Sequence, residues 1–126
     1  VWTNDAAGRM VGPHPGWGRF TGQEEAEYQG YGWAAAVHPD DAASTIAAWE
    51  RAVAERRPFV VEHRVRRHDG AWRTFAVRAI PVLDDGGTVV EWVGVHRDVT
   101  EERARDAALR AGEERYARAA HAAEAG

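Results

Sequence analysis

The residues of this chain that could do chemistry are mainly histidines and carboxylates on segments where apolar and polar residues alternate. His63 lies on the apolar face of one such segment, and His96 and Asp98 share a face of another. Imidazole and carboxylate groups bind metals, yet no third ligand lies at coordinating spacing and no His-Glu-x-x-His occurs. The spacing therefore predicts no metal site, and a lone His on an apolar face is typical of a hydrogen-bonded core residue.

Other catalytic patterns are also missing from the sequence. The chain has no Cys, which excludes a thiolate nucleophile, cysteine-ligated zinc and a cysteinyl attachment point for a chromophore. His121 lacks the adjacent Glu and the downstream Pro of a phosphoacceptor helix, and Gly86-Gly87 is typical of a turn rather than of a nucleotide-binding loop. We therefore predict that this segment is not an enzyme.

The composition is that of one globular domain. The chain has 126 residues, of which 44% are hydrophobic, and its six Trp side chains are expected mostly in the core. A net charge of −4 argues against nucleic-acid binding. The sequence has no apolar run of the roughly 18 residues that a membrane span needs, and its first residues do not resemble a signal peptide. We expect a cytoplasmic segment of a longer protein, with no membrane contact of its own.

Turn signals divide the chain into elements that would position these residues. Short apolar runs at 1–5 and 9–11 predict a hairpin, and the Gly- and Pro-rich stretch 12–32 predicts short helical turns with Trp17 and Phe20 as inward anchors. His38-Pro39-Asp40-Asp41 opens a helix that Pro58 stops. Three strands joined by tight turns follow and must be antiparallel, at 59–68, 72–83 and 88–99.

The last strand runs into a helix with no intervening Gly or Pro. Thr100 is the expected N-cap, and the helix is expected to reach about His121 with an interruption at Gly112. Its heptad-spaced residues, Leu109, Tyr116 and Ala123, predict a weak coiled coil. Asp98, Val99 and Thr100 form the candidate signal junction, in which Asp98 would pair with a basic side chain or cap the helix.

A charged strand face has two interpretations. Glu62, Arg64 and Arg78 lie on adjacent predicted strands and could form a cross-strand ion network. Alternatively, Arg64 or Arg78 could hold an anionic ligand through two parallel hydrogen bonds. The structural interpretation is favoured because such ion pairs are common on antiparallel sheets.

The order of elements and a series of short motifs resemble the PAS domain, especially the bacterial PAS/PAC type of multidomain sensor proteins. One departure is His14, at a position where the family often has Asn ahead of the first short helix. The matching segments occur in the family's order and are Trp17-Gly18-Arg19-Phe20-Thr21-Gly22, Gly32-Trp33, His38-Pro39-Asp40-Asp41, Glu62-His63-Arg64, Asp69-Gly70-Ala71-Trp72-Arg73, Trp92-Val93-Gly94 and Asp98-Val99-Thr100-Glu101.

The resemblance implies an α+β fold with a five-stranded antiparallel sheet in the order 2-1-5-4-3, helices on one face and an exit helix. Residues 1–99 would form the sensory domain, without an N-terminal cap helix, and residues 100–126 a signalling or linker helix, or the lead-in to a following PAS repeat. Between sheet and helices such domains hold either a ligand or a plug of side chains. The residues expected to line that cavity are His63, His96, Trp33, Phe75 and Trp92.

The resemblance also bears on cofactors. His96 stands where light-sensing LOV domains have a glutamine that contacts flavin, but a LOV-type flavin adduct needs a cysteine that this chain lacks. Haem-binding members usually supply an axial His from the long helix, and residues 41–57 contain none. No cofactor is therefore expected: a LOV-type flavin adduct is excluded, and haem binding is disfavoured.

The implied function is that of a sensory and dimerisation module in a signal-transduction protein, a sensor histidine kinase of a two-component system. It would pass a conformational signal from the sheet to the C-terminal helix. The alternatives are a filled-core domain that serves only as a spacer and dimerisation module, or a PAS sensor that binds haem or a small ligand.

The expected partners follow from this interpretation. They are a second copy, bound through the C-terminal helix and the sheet face, neighbouring PAS or kinase modules, and a small-molecule ligand if the cavity is open. The apolar outer sheet face is expected to be covered by a helix, either residues 103–123 of the same chain or those of a second molecule.

Overall fold

Alternation of apolar and polar residues along three long segments produces the sheet on which the rest of the chain packs. The computed structural model describes residues 1–125. The strands are β1 (Trp2–Asp5), β2 (Phe59–Arg66), β3 (Trp72–Leu83) and β4 (Val89–Asp98). The helices are α1 (Pro15–Thr21), α2 (Glu25–Tyr28), a 3₁₀ helix (Gly32–Ala36), α3 (Pro39–Glu55) and α4 (Thr100–Ala125).

The four strands form one antiparallel sheet in the order β1-β4-β3-β2. The predicted antiparallel arrangement of the three long strands is confirmed. The expected count of five strands is wrong, because residues 9–11 make only a single bridge between Met10 and Gly30. Removing that strand from the order 2-1-5-4-3 leaves the order observed.

Backbone conformation explains why the second strand is absent. Gly8 and Gly12 have positive φ angles of 83° and 77°, so the chain turns on both sides of the short apolar run. Pro13 then lacks the N–H that a ladder would use. The predicted turn is present, since the Asp5 amide donates to the Arg9 carbonyl at 2.9 Å, but no second strand follows it.

The long helix α3 begins and ends as the sequence predicts. Pro39 occupies its first turn, and the ring of His38 accepts a hydrogen bond from the Asp40 amide. Arg56 adopts a left-handed conformation just past the last turn, and Pro58 follows. The apolar stripe of α3 packs on the sheet, where Trp49 and Trp92 are fully buried with ring centroids 5.0 Å apart.

Helix α4 differs from expectation at its start and in its middle. The Val99 carbonyl accepts the first helical hydrogen bond, from Arg103, and the side-chain cap comes from Asp98, so Thr100 as N-cap is wrong. The helix is continuous through Gly112, because good helix formers on both sides offset the roughly 1 kcal/mol cost of a glycine. Residues 104–124 are exposed.

The outer face of the sheet, defined here as the side facing away from α1–α3, carries exposed apolar residues. Val60, Ile80 and Val95 are 63%, 56% and 45% exposed. Coverage of this face by residues 103–123 of the same chain is therefore wrong, because α4 leaves the sheet after its first turn. Within residues 1–125 no helix has the length and apolarity needed to cross a bilayer.

Candidate functional site

An inner cavity of about 40 Å³ lies between the sheet and the helices. It is small because aromatic side chains fill most of the space between the two layers. Its lining comes from every strand and from α1, α3 and the 3₁₀ helix, together with Met10. The lining residues are Trp2, Asn4, Met10, Trp17, Trp33, Thr45, Trp49, Phe59, His63, Val77 and His96.

His63 brings a titratable ring into this core. It is 4% exposed, and its Nδ1 lies 3.2 Å from the Thr45 hydroxyl of α3. Burial lowers the pKa of His63 to about 4, while the more distant Asp41 carboxylate acts weakly in the opposite direction. The ring is therefore neutral at pH 7 and can both donate and accept a hydrogen bond.

His96 lies at the centre of an aromatic cluster. Its ring centroid is 5.6 Å from that of Trp2, 5.8 Å from those of Trp17 and Phe75, and 6.0 Å from that of His63. Burial, and secondarily the neighbouring His63, lower the pKa of His96 to about 3. Both histidines thus remain uncharged in the folded protein near neutral pH.

Several residues that line the inner cavity have a buried polar atom without a hydrogen-bond partner. Within residues 1–125, five buried side-chain atoms have no protein hydrogen-bond partner, and four of them belong to residues that line this cavity. Buried polar groups normally have partners, so such a concentration is unusual. The four atoms are Trp2 Nε1, Asn4 Oδ1, Trp33 Nε1 and His63 Nε2.

A larger cleft of about 480 Å³ adjoins the inner cavity and opens to solvent beside α1. Four side chains border both spaces, namely those of Trp2, Met10, Trp17 and His96. Phe20 and Phe75 meet edge to face in the cleft, with ring centroids 5.1 Å apart. The remaining lining residues are Val1, Thr3, Val11, Pro13, His14, Pro15 and Gly16.

The structure places the predicted cavity residues in three locations. Trp33, His63 and His96 line the inner cavity, Phe75 lines the cleft, and Trp92 lines neither of these spaces. Trp92 is instead fully buried against Trp49.

Sequence reasoning missed Trp2, Asn4 and Thr45 among the cavity residues. Alternation along β1 places Trp2 and Asn4 on one face. Helical spacing places Thr45 one turn before Trp49. Those two patterns could have identified all three residues.

The strand–helix junction is held by charged groups. Arg73 of β3 donates to Asp98 of β4 at 2.8 Å and to Glu101 of α4 at 2.7 Å and 2.9 Å. Asp98 also accepts hydrogen bonds from the Thr100 amide and hydroxyl, at 2.9 Å and 2.6 Å. The Thr100 hydroxyl in turn accepts from the Thr74 amide of β3 at 2.8 Å. Asp98 therefore both pairs with a basic side chain and caps the helix.

These contacts alter the ionisation of the junction. Burial opposes ionisation of Asp98, but hydrogen bonds from Arg73 and Thr100 outweigh it and lower the pKa of that carboxyl. The same ion pairing raises the pKa of Arg73 and lowers that of Glu101. The junction is therefore fully charged at neutral pH.

The first turn of α4 has further ion pairs to the sheet, and they differ from the predicted network. Glu62 of β2 accepts from Arg103 in two hydrogen bonds of 2.8 Å, and Arg97 of β4 pairs with Glu102 at 2.9 Å. Arg64 pairs with Asp41 instead of with Glu62. Among the described residues Arg78 has no ion pair within 4.0 Å, so a network of Glu62, Arg64 and Arg78 is wrong.

The sequence model of the family described as "PAS fold" matches residues 14–96. The chain belongs to the PAS family. In this PAS domain, the expected departure at His14 affects only the start of α1. His14 precedes α1 without capping it through its side chain, and its Nε2 lies 2.8 Å from the Thr3 carbonyl of β1.

Known proteins similar to this PAS domain include signalling kinases. A crystal structure of a sensory box histidine kinase/response regulator from Burkholderia thailandensis has a TM-score of 0.66 and 28% identity, covering 93% of this chain and 88% of that one. An uncharacterized protein of Sinorhizobium fredii, y4lL, is 31% identical over 91% of this chain, which spans 14% of its length. The peroxide stress-activated histidine kinase mak1 of Schizosaccharomyces pombe is 31% identical over 53% of the chain, spanning 4% of its length.

The chain is thus a PAS sensory domain related to those of histidine kinases. Within residues 1–125 no three His, Asp or Glu side chains are grouped so as to hold a metal ion.

Proposed function

We propose that this PAS domain is a sensory and signal-transmitting module of a multidomain sensor histidine kinase, in which it passes a conformational change from the sheet to α4. The relationship to histidine kinases supports this proposal, and so does the small part of its curated relatives that the chain spans. The module has no catalytic role of its own and works in the cytoplasm.

The observation that carries the proposal is the position of Arg73. One guanidinium joins β3, the end of β4 and the first turn of α4, through Asp98 and Glu101. Charge-assisted hydrogen bonds of this kind are short and directional. A shift of β3 relative to β4 would therefore change the geometry at the start of α4. We propose that a signal moves the junction from the observed arrangement to a second one.

The proposal includes a homodimer. Leu109 and Tyr116 of α4 are 65% and 78% exposed, seven residues apart on one helix. The outer face of the sheet adds the exposed Val60, Ile80 and Val95. Apolar residues exposed on both surfaces support pairing of two copies through α4 and the outer face, with neighbouring PAS or kinase modules as the further partners.

A second candidate function is that of a filled-core spacer and dimerisation module. The size of the inner cavity favours it, because about 40 Å³ is far below the roughly 300–1,000 Å³ of drug-sized ligand pockets. A bound haem or flavin would require large movements of the aromatic side chains. In this alternative the junction would be a static support for α4.

Hydrogen exchange distinguishes transmission from static support. His96→Phe changes the packing of β4 two residues before Asp98, and we expect it to alter amide exchange at residues 100–104 several-fold. In an Arg73→Ala background the same substitution should no longer affect those amides. The matched control is Arg78→Ala, which removes an arginine from the same strand but leaves the junction intact.

The result that contradicts transmission is also defined. If His96→Phe changes exchange at residues 100–104 equally with and without Arg73, the junction does not couple the sheet to α4. If His96→Phe has no effect on those amides in the native background, the spacer function is the better description. Urea unfolding of each variant confirms that the comparison is between folded proteins.

A further inference from the structure

The charged residues on the outer face of the sheet differ in whether they have partners. Glu62 and Arg97 lie in one row of the strand register, and both pair with the first turn of α4. In the next row, Arg78 lies between Val60 and Val95, which are both exposed. Among the described residues no carboxylate pairs with Arg78. An arginine without a counter-charge therefore lies in the middle of an apolar patch.

The exposed side of α4 has the complementary order of residues. Gly112 and Glu113 lie between Leu109 and Tyr116 on one side of the helix, at spacings of three and four residues. Within residues 1–125 Glu113 has no ion pair. A Cβ at Gly112 would meet no atom within 4 Å, so nothing in its own chain requires a glycine there. The bare backbone at Gly112 leaves a notch beside an unpaired carboxylate.

The spacing of the two surfaces also matches. Leu109 and Tyr116 are seven residues apart, which is about 10.5 Å along a helix. Val60 and Val95 are separated by two strand spacings, which is about 9.6 Å across a sheet. A helix that crosses β2, β3 and β4 can therefore place its two apolar side chains on the two valines. The middle of that helix then lies over Arg78.

Helix α4 cannot make this contact with its own sheet, because it leaves the sheet after its first turn and residues 104–124 are exposed. We propose that α4 of a second copy crosses the outer face, with Glu113 of that copy paired to Arg78 of the first. By two-fold symmetry each copy provides one helix and receives one. The Arg–carboxylate pair fixes the position of the helix on the sheet. This inference rests on the proposed homodimer and specifies its geometry, in which α4 contacts the sheet of the other copy instead of its α4.

Charge reversal tests the pair on the full chain, with sedimentation equilibrium as the measure of dimerisation. Arg78→Glu and Glu113→Arg should each weaken the dimer at least tenfold, because each places like charges together. A mixture of the two variants should form a heterodimer within about threefold of the native affinity, because both of its contacts then join opposite charges. The matched control is Glu114→Arg, which makes the same change on another side of the helix and should leave dimerisation unchanged. All three positions are exposed in one copy, so the substitutions should leave its fold intact.

A further variant distinguishes this geometry from a coiled coil of two α4 helices. In a heptad with Leu109 and Tyr116 at a positions, Gly112 falls at d, so Gly112→Leu would strengthen a coiled coil. On the sheet the added side chain prevents the close approach of the helix, and we expect at least tenfold weaker dimerisation. Circular dichroism confirms that α4 stays helical in this variant, since Leu is a better helix former than Gly.

Several outcomes would overturn the inference. They are a monomeric native chain, a native dimer that the charge reversals leave unchanged, no heterodimer in the mixture, an equal effect of Glu114→Arg, and tighter dimerisation of Gly112→Leu. A monomeric native chain would also reject the proposed homodimer, whereas the other outcomes would reject only this geometry. The Arg73 coupling experiment, run at concentrations at which the chain is monomeric, does not involve this contact, and Arg78→Ala remains its control.

Discussion

At the scale of single residues, the most consequential feature is a pair of neutral histidines in an aromatic core. His63 and His96 lie with ring centroids 6.0 Å apart, and burial lowers the pKa of both. An ordinary histidine titrates near pH 6.5. Below that pH the two histidines therefore bind protons in the unfolded chain but remain neutral in the folded chain. Acid therefore favours the unfolded state over a defined pH range.

We predict that the free energy of unfolding falls as the pH decreases from 7 to 5. In this window the unfolded state binds more protons, since the pKa of His63 is about 4 when folded and 6.5 otherwise. His63 alone should contribute a loss of roughly 2 kcal/mol between pH 7 and pH 5. His96 acts in the same direction. Urea unfolding followed by Trp fluorescence at both pH values measures the difference.

A pair of variants tests whether His63 causes this loss of stability at low pH. His63→Gln removes one titrating ring and should reduce the loss between pH 7 and pH 5 by roughly 2 kcal/mol. His121→Gln removes an exposed histidine of α4 and should leave the full loss in place. An equal pH dependence in both variants would show that His63 is not held neutral by the core.

At the scale of elements, ion pairs fasten helices to the edges and ends of the sheet. Asp41 in the first turn of α3 accepts three hydrogen bonds of 2.9 Å from Arg64 of β2, one from its amide and two from its guanidinium. The side-chain hydrogen bonds from Arg64 lower the pKa of Asp41 to about 2. The same carboxylate lies at the helix N-terminus, where negative charge is favourable.

We predict that Asp41→Asn destabilises the fold by about 1–2 kcal/mol at pH 7, because it removes the ion pair and leaves the Arg64 guanidinium without its carboxylate. The stability that the Asp41 carboxylate gives to the fold is fully present above the unfolded pKa of about 4, and it is lost as the pH falls toward 2. Urea unfolding should therefore show that the native chain has a higher free energy of unfolding than Asp41→Asn at pH 7. This difference should shrink at pH 2.5.

The neighbouring carboxylate is the control for this prediction. Asp40 lies in the same helical turn, but its side chain is 78% exposed, and the His38 Nδ1 that accepts from the Asp40 amide lies 3.9 Å from its carboxylate. Asp40→Asn should cost less than about 0.5 kcal/mol. Equal effects of the two substitutions would mean that helix-dipole interactions, not the Arg64 pair, account for the role of Asp41.

At the scale of the whole molecule, the chain exposes two apolar surfaces, the outer sheet face and one side of α4. A single chain cannot bury both, because α4 leaves the sheet after its first turn. Val95 lies near the middle of the outer face, beside Arg78 in the strand register. Two copies that pair through these surfaces would remove both from water.

We predict that the full chain has twice the 13.9 kDa mass of one copy in light scattering at micromolar concentration. Val95→Glu should shift the equilibrium toward monomer at least tenfold, because it places a charge in the apolar patch. Val90→Glu is the control, since Val90 is similarly exposed, at 49%, but lies beside the β3–β4 turn. A monomeric native chain, or equal effects of the two variants, would contradict dimerisation through this face.

Much of the fold could be predicted because its signals are local. Alternation over Phe59–Arg66 and Trp72–Leu83, and the caps around Pro39 and Pro58, each depend on a few neighbouring residues. The missing second strand could not be predicted, because the run at residues 9–11 has strand-like composition. Whether residues 9–11 form a strand depends on the positive φ angles at Gly8 and Gly12 and on whether another strand is within reach.

The candidate site was predictable only in part for a similar reason. His63 faces the core by alternation, but its distance from Thr45 depends on how α3 crosses the sheet. The charged residues show the same limit, since Glu62 pairs with Arg103, which lies 41 positions away, instead of with a cross-strand neighbour.

The sequence alone therefore determined the antiparallel strands, the long helix, the helix that continues β4 and the absence of cysteine chemistry. These properties follow from periodicity, turn residues and composition, which a linear chain contains in full. Only the tertiary structure decided that four residues with unpartnered polar atoms line one small cavity, that a cleft adjoins it, and that Arg73 joins three elements. Contacts between distant residues depend on packing angles and side-chain conformations, and no local pattern encodes them.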